Sequence, residues 1–308
     1  MSRAIERLRG LVAAAHTPMT DDGGLRLEVV ERQAEVFVRS GVRGVFACGT
    51  TGESHSLTVE ERMEVVARWR EVIGGSSLKL VVHVGHNCQG DAVRLARHAM
   101  ESGADAISAV APSYFKPGSV GDLVDFLEPV AGAAPELPFY YYEIPGLTGV
   151  TFPMPELLGR LSERVPNFAG VKYTSSNFMG LQECLQFGEG AYDILHGLDE
   201  MLLGALALGA RGAVGSTYNY AAPLYLGIME AFETGDMERA RALQFRSVQL
   251  VQVLLRYGVL PAGKALMERL GADCGPVRPP VQRLTAQQKR SLFAEVEEIG
   301  CADFFGKR

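Results

Sequence analysis

The segment MESGADAISAVAP (residues 100–112) reads as three events in a row: the end of a helix, a glycine, and a short apolar strand. VRSGVRGVFACG (38–49) and LALGARGAVGST (206–217) repeat that order. Gly41, Gly103 and Gly209 stand where a helix stops and the backbone turns left-handed, which glycine does without a steric penalty. The strands that follow, Val45 to Ala47, Ala106 to Val110 and Ala213 to Val214, are apolar without alternation, as parallel strands covered on both faces must be.

Working outward, Leu11 to Ala15, Leu80 to Val84, Phe139 to Tyr142, Phe168 to Val171 and Asp193 to Leu195 have the same character. That makes about eight strands, the number that closes a (β/α)8 TIM barrel. An open doubly wound sheet is the competing architecture, but no Gly-x-Gly-x-x-Gly turn follows the first strand. Helical stretches lie between the strands. Leu27, Val30, Ala34 and Phe37 share one helix face, and Thr58 with Glu61 makes a capping-box pattern that opens a helix over Val59 to Ile73. After residue 220 the strand signal ends. Tyr225 to Phe232, Met237 to Tyr257 and Ala286 to Ile299 read as helices, the last opened by Thr285 and Gln288. The spacing therefore predicts a barrel over residues 1–220 and a helical extension over 221–308, with CGPVRPPVQ (274–282) as a connecting loop.

Composition narrows the function classes. With 308 residues, 47% hydrophobic and 21% charged, the chain can build one large α/β barrel or two ordinary domains. A formal net charge of -6 lacks the basic excess that neutralises phosphates, which argues against a nucleic-acid partner. The 5 cysteines, at 48, 88, 184, 274 and 301, form no Cys-x-x-Cys pair and fit a reducing compartment. Met1 to Gly10 shows no signal-peptide apolar core and no later stretch is long enough to span a membrane, so a soluble cytoplasmic protein is expected.

In a β/α barrel the reacting groups lie at the carboxyl ends of the strands. The polar residues there are Thr50 and Thr51 after the second strand, Tyr114 after the fourth, Tyr142 at the end of the fifth, Lys172 after the sixth and Ser216 after the eighth. Lys172 follows FAGV, so its amine begins inside a low-dielectric barrel, where burial disfavours the charged form. Such a lysine either snorkels or pairs with a carboxylate, or it supplies free amine for attack on a ketone and formation of a Schiff base. The neighbouring candidates favour the second. CGTTGES (48–54) can turn backbone N–H groups and two hydroxyls onto a small anion such as a carboxylate, although Gly-Thr-Thr-Gly is also an ordinary turn. Tyr140 and Tyr142 share one strand face, and a phenol near a lysine can pass protons; an aromatic core position is the plainer alternative. His83 and His86, as a His-x-x-His pair on a strand end, point to opposite faces and are not expected to ligate metal. Asp199 and Glu200 are helix-start acids or, at a barrel mouth, holders of sugar hydroxyls.

Six ordered motifs, GTTGES, APSYFKP, LPFYYYEIPGLTGV, GVKYTSS, HGLDE and GAVGSTYNY, resemble the pyruvate-dependent class I aldolases, the family of N-acetylneuraminate lyase and dihydrodipicolinate synthase. The similarity spans roughly residues 8 to 300, and the tyrosine-rich and last motifs look most like the lyase branch. The resemblance implies that Lys172 forms the Schiff base with C2 of the substrate. Tyr142 shuttles the proton from the C4 hydroxyl as the C3–C4 bond breaks, and Thr50 and Thr51 bind the C1 carboxylate. It further implies that Tyr114 reaches toward a neighbouring subunit's site, that Thr174, Gly197, Asp199, Glu200 and Ser216 bind the sugar chain, and that the protein is a homotetramer. The products would be N-acetylmannosamine and pyruvate. A protonated imine is itself the electron sink, so no metal or cofactor is expected.

Two positions bear on the substrate. Dihydrodipicolinate synthases typically carry an arginine where this chain has Leu147, which argues against a charged second substrate. Glu143 replaces the asparagine or histidine common in related lyases and bears on sugar preference. Aldolases for 2-keto-3-deoxy sugar acids or 4-hydroxy-2-oxoglutarate remain alternatives within the family, and a non-catalytic pyruvate-binding barrel is the alternative outside it.

Overall fold

A computed structural model describes residues 7–305. Eight strands run β1 (Gly10–Ala14), β2 (Gly44–Ala47), β3 (Lys79–His83), β4 (Ala106–Val110), β5 (Phe139–Glu143), β6 (Phe168–Tyr173), β7 (Asp193–His196) and β8 (Gly212–Gly215). Each pairs in parallel with the next and β8 pairs with β1, so the sheet closes and, among the described residues, no barrel strand keeps a free edge to recruit another chain. The barrel is the predicted (β/α)8 TIM fold. Gly41, Gly103 and Gly209 have φ of 77°, 78° and 111°, the left-handed stops that the three repeated segments require.

Around the barrel lie α1 (Val29–Arg39), α2 (Val59–Ile73), α3 (Gln89–Glu101), α4 (Val120–Gly132), the short α5 (Pro145–Thr148), α6 (Met154–Arg164), α7 (Phe178–Gln186), α8 (Leu202–Leu208) and α9 (Tyr218–Glu233). The chain then adds α10 (Met237–Tyr257), α11 (Val259–Arg269) and α12 (Ala286–Glu298). Both expected capping boxes are formed, at Thr58 with Glu61 and at Thr285 with Gln288. Residues 274–282 are a loop, as expected. Among the described residues no helix is long and apolar enough to cross a membrane. The reading of the chain's beginning falls partly on residues 1–6, outside the described residues.

Three element boundaries differ from expectation in ways that matter. β6 runs through Tyr173, so Lys172 lies within the strand and not after it. Its ladder continues because Lys172 pairs with both Tyr142 and Leu195 across the sheet. α9 starts at Tyr218, well before Tyr225, and α11 is a helix where none was read.

Strand parity sorts the core into two parts. Phe46, Val81, Val110, Tyr140, Tyr142 and Leu195 fill the barrel interior, while Tyr141, Val171 and Tyr173 face the layer between barrel and helices. At the amino end of the barrel, the Tyr140 hydroxyl and the Leu8 amide both donate to Asp193 Oδ2 at 2.9 Å. These bonds tie the amino end together, while Lys172, Tyr142 and Thr50 lie toward the carboxyl end.

Candidate active site

Lys172 and Tyr142 are register partners on adjacent strands and both point inward. The Lys172 amine sits over two aromatic faces, 3.8 Å from the centroid of the Tyr142 ring and 4.1 Å from that of Phe46. Lys172 is only 4% exposed. The snorkelling alternative therefore does not describe this side chain. The Tyr142 hydroxyl lies 3.4 Å from Thr50 Oγ1, which brings the loop after β2 against the phenol. Thr51 is buried next to it in sequence. His83, considered only as a metal ligand above, ends β3 facing inward: its ring is edge-on to Tyr142 at 5.8 Å and stacked on Phe46 at 6.1 Å. Burial first, then the charge of Arg62 and His55, holds its imidazole neutral, far below the usual histidine range.

His86 lies beyond the strand, close to Cys88 and Asp91 rather than to His83. Its Nδ1 accepts the Cys88 N–H at 2.9 Å, and Asp91 Oδ1 accepts from Arg94 at 3.2 Å.

On the other side of the mouth, Asp199 is 5% exposed, and its Oδ2 accepts from the Thr217 amide at 2.9 Å and the Thr217 hydroxyl at 2.6 Å. Burial raises its carboxyl to about 6 against the pull of those hydrogen bonds. Its Oδ1 and the Thr174 hydroxyl are buried without a hydrogen-bond partner. The glycines of this region make room for these side chains: a Cβ on Gly215 would lie 1.7 Å from Asp199 Oδ1, and one on Gly197 would lie 2.0 Å from Thr174 Oγ1. Ser216 is half-buried after β8, and Glu200 follows Asp199 in a 3₁₀ turn. The Asp199 carbonyl accepts from Ser247 at 3.2 Å and Gln244 at 3.4 Å, both on α10, so the extension fixes this loop.

Tyr114 is not brought to this cluster. It is 80% exposed and packs edge-on against the equally exposed Phe115. Leu147 is 64% exposed and lines a cavity of about 280 Å³ with Thr50, His83 and Ile144. A larger cavity of about 430 Å³ opens over α11 between charged side chains, and none of the reacting candidates lines it.

Glu143 lies on the opposite strand face from Tyr142. It shares the Tyr141 face of β5, hydrogen-bonds with Tyr141, and acts on Tyr173 and Cys184 in the barrel–helix layer. It therefore turns away from the interior that holds Lys172 and Tyr142, and sugar preference cannot be read from it. Burial lifts its carboxyl from the ordinary 4.5 to about 7. A folded-state value above the unfolded one means that the folded protein binds the extra proton. That stability is complete below pH 4.5 and is lost as the pH rises through about 7. Glu143→Gln is thus expected to gain roughly 1–3 kcal/mol over the parent above pH 7 and nothing below pH 4.5. Thermal melts of both proteins across that range check it, and a pH-independent difference would contradict it.

Fold and site together define a (β/α)8-barrel protein that presents a buried amine, a phenol and a hydroxyl-bearing loop at the open end of its barrel. The chain belongs to the Dihydrodipicolinate synthetase family, which matches residues 7–299. It is 43% identical over 285 residues to N-acetylneuraminate lyase A of Xenopus laevis, covering 91% of this chain and 93% of that protein. N-acetylneuraminate lyase of Danio rerio is 39% identical over 303 residues, covering 97% and 99%. Among solved structures, N-acetylneuraminate lyase of Proteus mirabilis superposes with a TM-score of 0.93 at 38% identity, covering 96% of this chain and 99% of that one. The enzyme of Aliivibrio salmonicida gives 0.93 at 40% identity, covering 97% and 98%.

Proposed function

We propose that this protein is a carbon–carbon lyase of the Schiff-base type, cleaving N-acetylneuraminate reversibly to N-acetylmannosamine and pyruvate. The observation that carries the reading is the Lys172 amine held over the Tyr142 ring, with the Tyr142 hydroxyl against Thr50, in a chain 43% identical to a lyase of that name.

On this reading the residues gathered at the barrel mouth take the following roles. The Lys172 amine adds to the C2 carbonyl, and loss of water gives a protonated imine. Thr50 and Thr51 hold the C1 carboxylate, with Tyr142 beside them. Tyr142 takes the proton from the C4 hydroxyl, the C3–C4 bond breaks, and its electron pair moves into the imine to form an enamine. Protonation at C3 and hydrolysis then release pyruvate and regenerate the amine. No cofactor is needed. The Asp199 carboxylate, on which the buried Tyr218 hydroxyl also acts, and the unpartnered Thr174 hydroxyl are suited to the hydroxyls of a sugar chain, with Gly197, Glu200 and Ser216 around them.

The exposed Tyr114 and Phe115 are apolar surface of the kind a second copy covers, and we read the protein as a homotetramer in which Tyr114 approaches a neighbour's site. A cytoplasmic location accords with five free cysteines. Small 2-keto acids, not nucleic acid or membrane, are its partners.

A coupled assay for pyruvate release tests the substrate. N-acetylneuraminate is expected to exceed 2-keto-3-deoxygluconate and 4-hydroxy-2-oxoglutarate by roughly 100-fold or more in kcat/KM, the scale that matched polar contacts supply. Equal turnover of these acids would reduce the reading to an aldolase of the family without sugar preference. A dihydrodipicolinate synthase is disfavoured because Leu147 offers no guanidinium to a second carboxylate.

A further inference from the structure

Glu53 closes the GTTGES loop with a left-handed backbone, φ 56°, which a residue with a side chain adopts only where its surroundings impose it. Its carboxylate is the means. Lys264 on α11 places its amine 2.7 Å from Glu53 Oε1, and both side chains are 2% exposed. The Arg278 amide donates to Glu53 Oε2 at 2.9 Å, and the Lys264 amine also donates to the Pro276 carbonyl at 2.7 Å. From Glu53 the loop is tied back to the site: its amide donates to the Thr50 carbonyl at 3.0 Å, the Ser54 amide donates to Gly49 at 3.2 Å, and Thr17 donates to the Gly52 carbonyl at 2.7 Å. Thr50 is the residue whose hydroxyl meets Tyr142.

We propose that the buried Lys264–Glu53 ion pair is a positioning device: the helical extension holds the GTTGES loop in the shape that receives the substrate carboxylate, and so sets the affinity for 2-keto acids. The proposal rests on the carboxylate role given above to Thr50 and Thr51. The role assigned to the pair is to shape the loop, although Glu53 also lines the cavity beside Thr50. Losing Lys264 leaves the buried Glu53 carboxylate with the Arg278 amide and the charge of Arg278, whose guanidinium is already bonded to Glu61, and so frees the loop to shift. A pair that merely stapled the chain together would lower stability and leave the affinity of the folded protein unchanged.

The test compares the full-length protein with Lys264→Met and with the double variant Glu53→Gln/Lys264→Met, which leaves no charge buried and serves if the single variant does not fold. Borohydride trapping of pyruvate, followed by mass spectrometry, gives the half-saturating concentration and the final extent. Hydrogen exchange of amides 48–57 reports the loop without any ligand. Lys264→Met is expected to raise half-saturation about 10-fold with the same final extent, and the double variant about 3-fold, each with faster loop exchange. Parental half-saturation and parental loop exchange in the folded variants would overturn the proposal. If the parent itself is not trapped by pyruvate, the Schiff-base reading falls, and loop exchange alone then decides whether the ion pair holds the loop.

Discussion

Lys172→Ala is expected to lower pyruvate release by more than roughly 10⁴-fold, because cleavage of the C3–C4 bond then has no imine to accept its electron pair. No neighbouring side chain can substitute. The Phe46 and Tyr142 rings under that amine, and the His83 imidazole on which its charge acts, cannot take its place in a Schiff base. The fold should survive. Lys172 is buried, so alanine removes a packed alkyl stem at a cost of about 1–3 kcal/mol, but it also relieves the barrel of a buried amine. Three measurements separate the possibilities: steady-state turnover, mass shift on borohydride reduction with pyruvate, and a thermal melt. A variant that melts like the parent, is not trapped and does not turn over bears out the assignment. A folded variant that retains activity would end it, and a folded parent that pyruvate and borohydride leave unmodified would favour a barrel that binds the keto acid without chemistry.

The barrel was legible because its signals are local. A helix end, a left-handed glycine and an unbroken apolar strand each depend on neighbouring residues, and Gly41, Gly103 and Gly209 carry that message in three places. The parity of FYYYEIP put Tyr142 on one face with Tyr140, and the closed barrel makes that face the interior. Carried one residue further, the same parity puts Glu143 outward, so the signal that corrects its role was already in the sequence. Other features were hidden for physical reasons. In α11, Pro261 and Gly263 look like breakers, yet Pro261 lies in the first turn, where its missing N–H costs nothing. Gly263 lies against the buried His16 ring, where a Cβ would come within 2.6 Å of Nε2. The pairing of Glu53 with Lys264, and the hold of Ser247 and Gln244 on the Asp199 carbonyl, join residues far apart in the chain. No periodicity encodes such contacts. They share a consequence: α10 and α11 grip the loops after β7 and β2, so the extension is part of the site's scaffold.

Tyr142→Phe should separate proton transfer from imine formation more cleanly than any other change at this site. Phenylalanine keeps the ring, so the face under the Lys172 amine and the edge contacts with Phe46 and His83 persist, and stability should change little. What is lost is one hydroxyl, the atom 3.4 Å from Thr50 Oγ1. Without it, the proton leaving the C4 hydroxyl has no positioned acceptor, and the loss of turnover is expected to be on the order of 10²–10⁴-fold. Pyruvate, which has no bond to cleave, should still be trapped on Lys172 by borohydride. The neighbouring histidine is a poor replacement, since His83 is held neutral far below its usual range and its Nδ1 is buried without a partner. A variant with near-parental turnover would move the proton transfer to another group, most simply Thr50 with an ordered water. A variant that loses trapping along with turnover would show that the phenol is needed to form the imine, so that its loss cannot be assigned to the bond-breaking step alone.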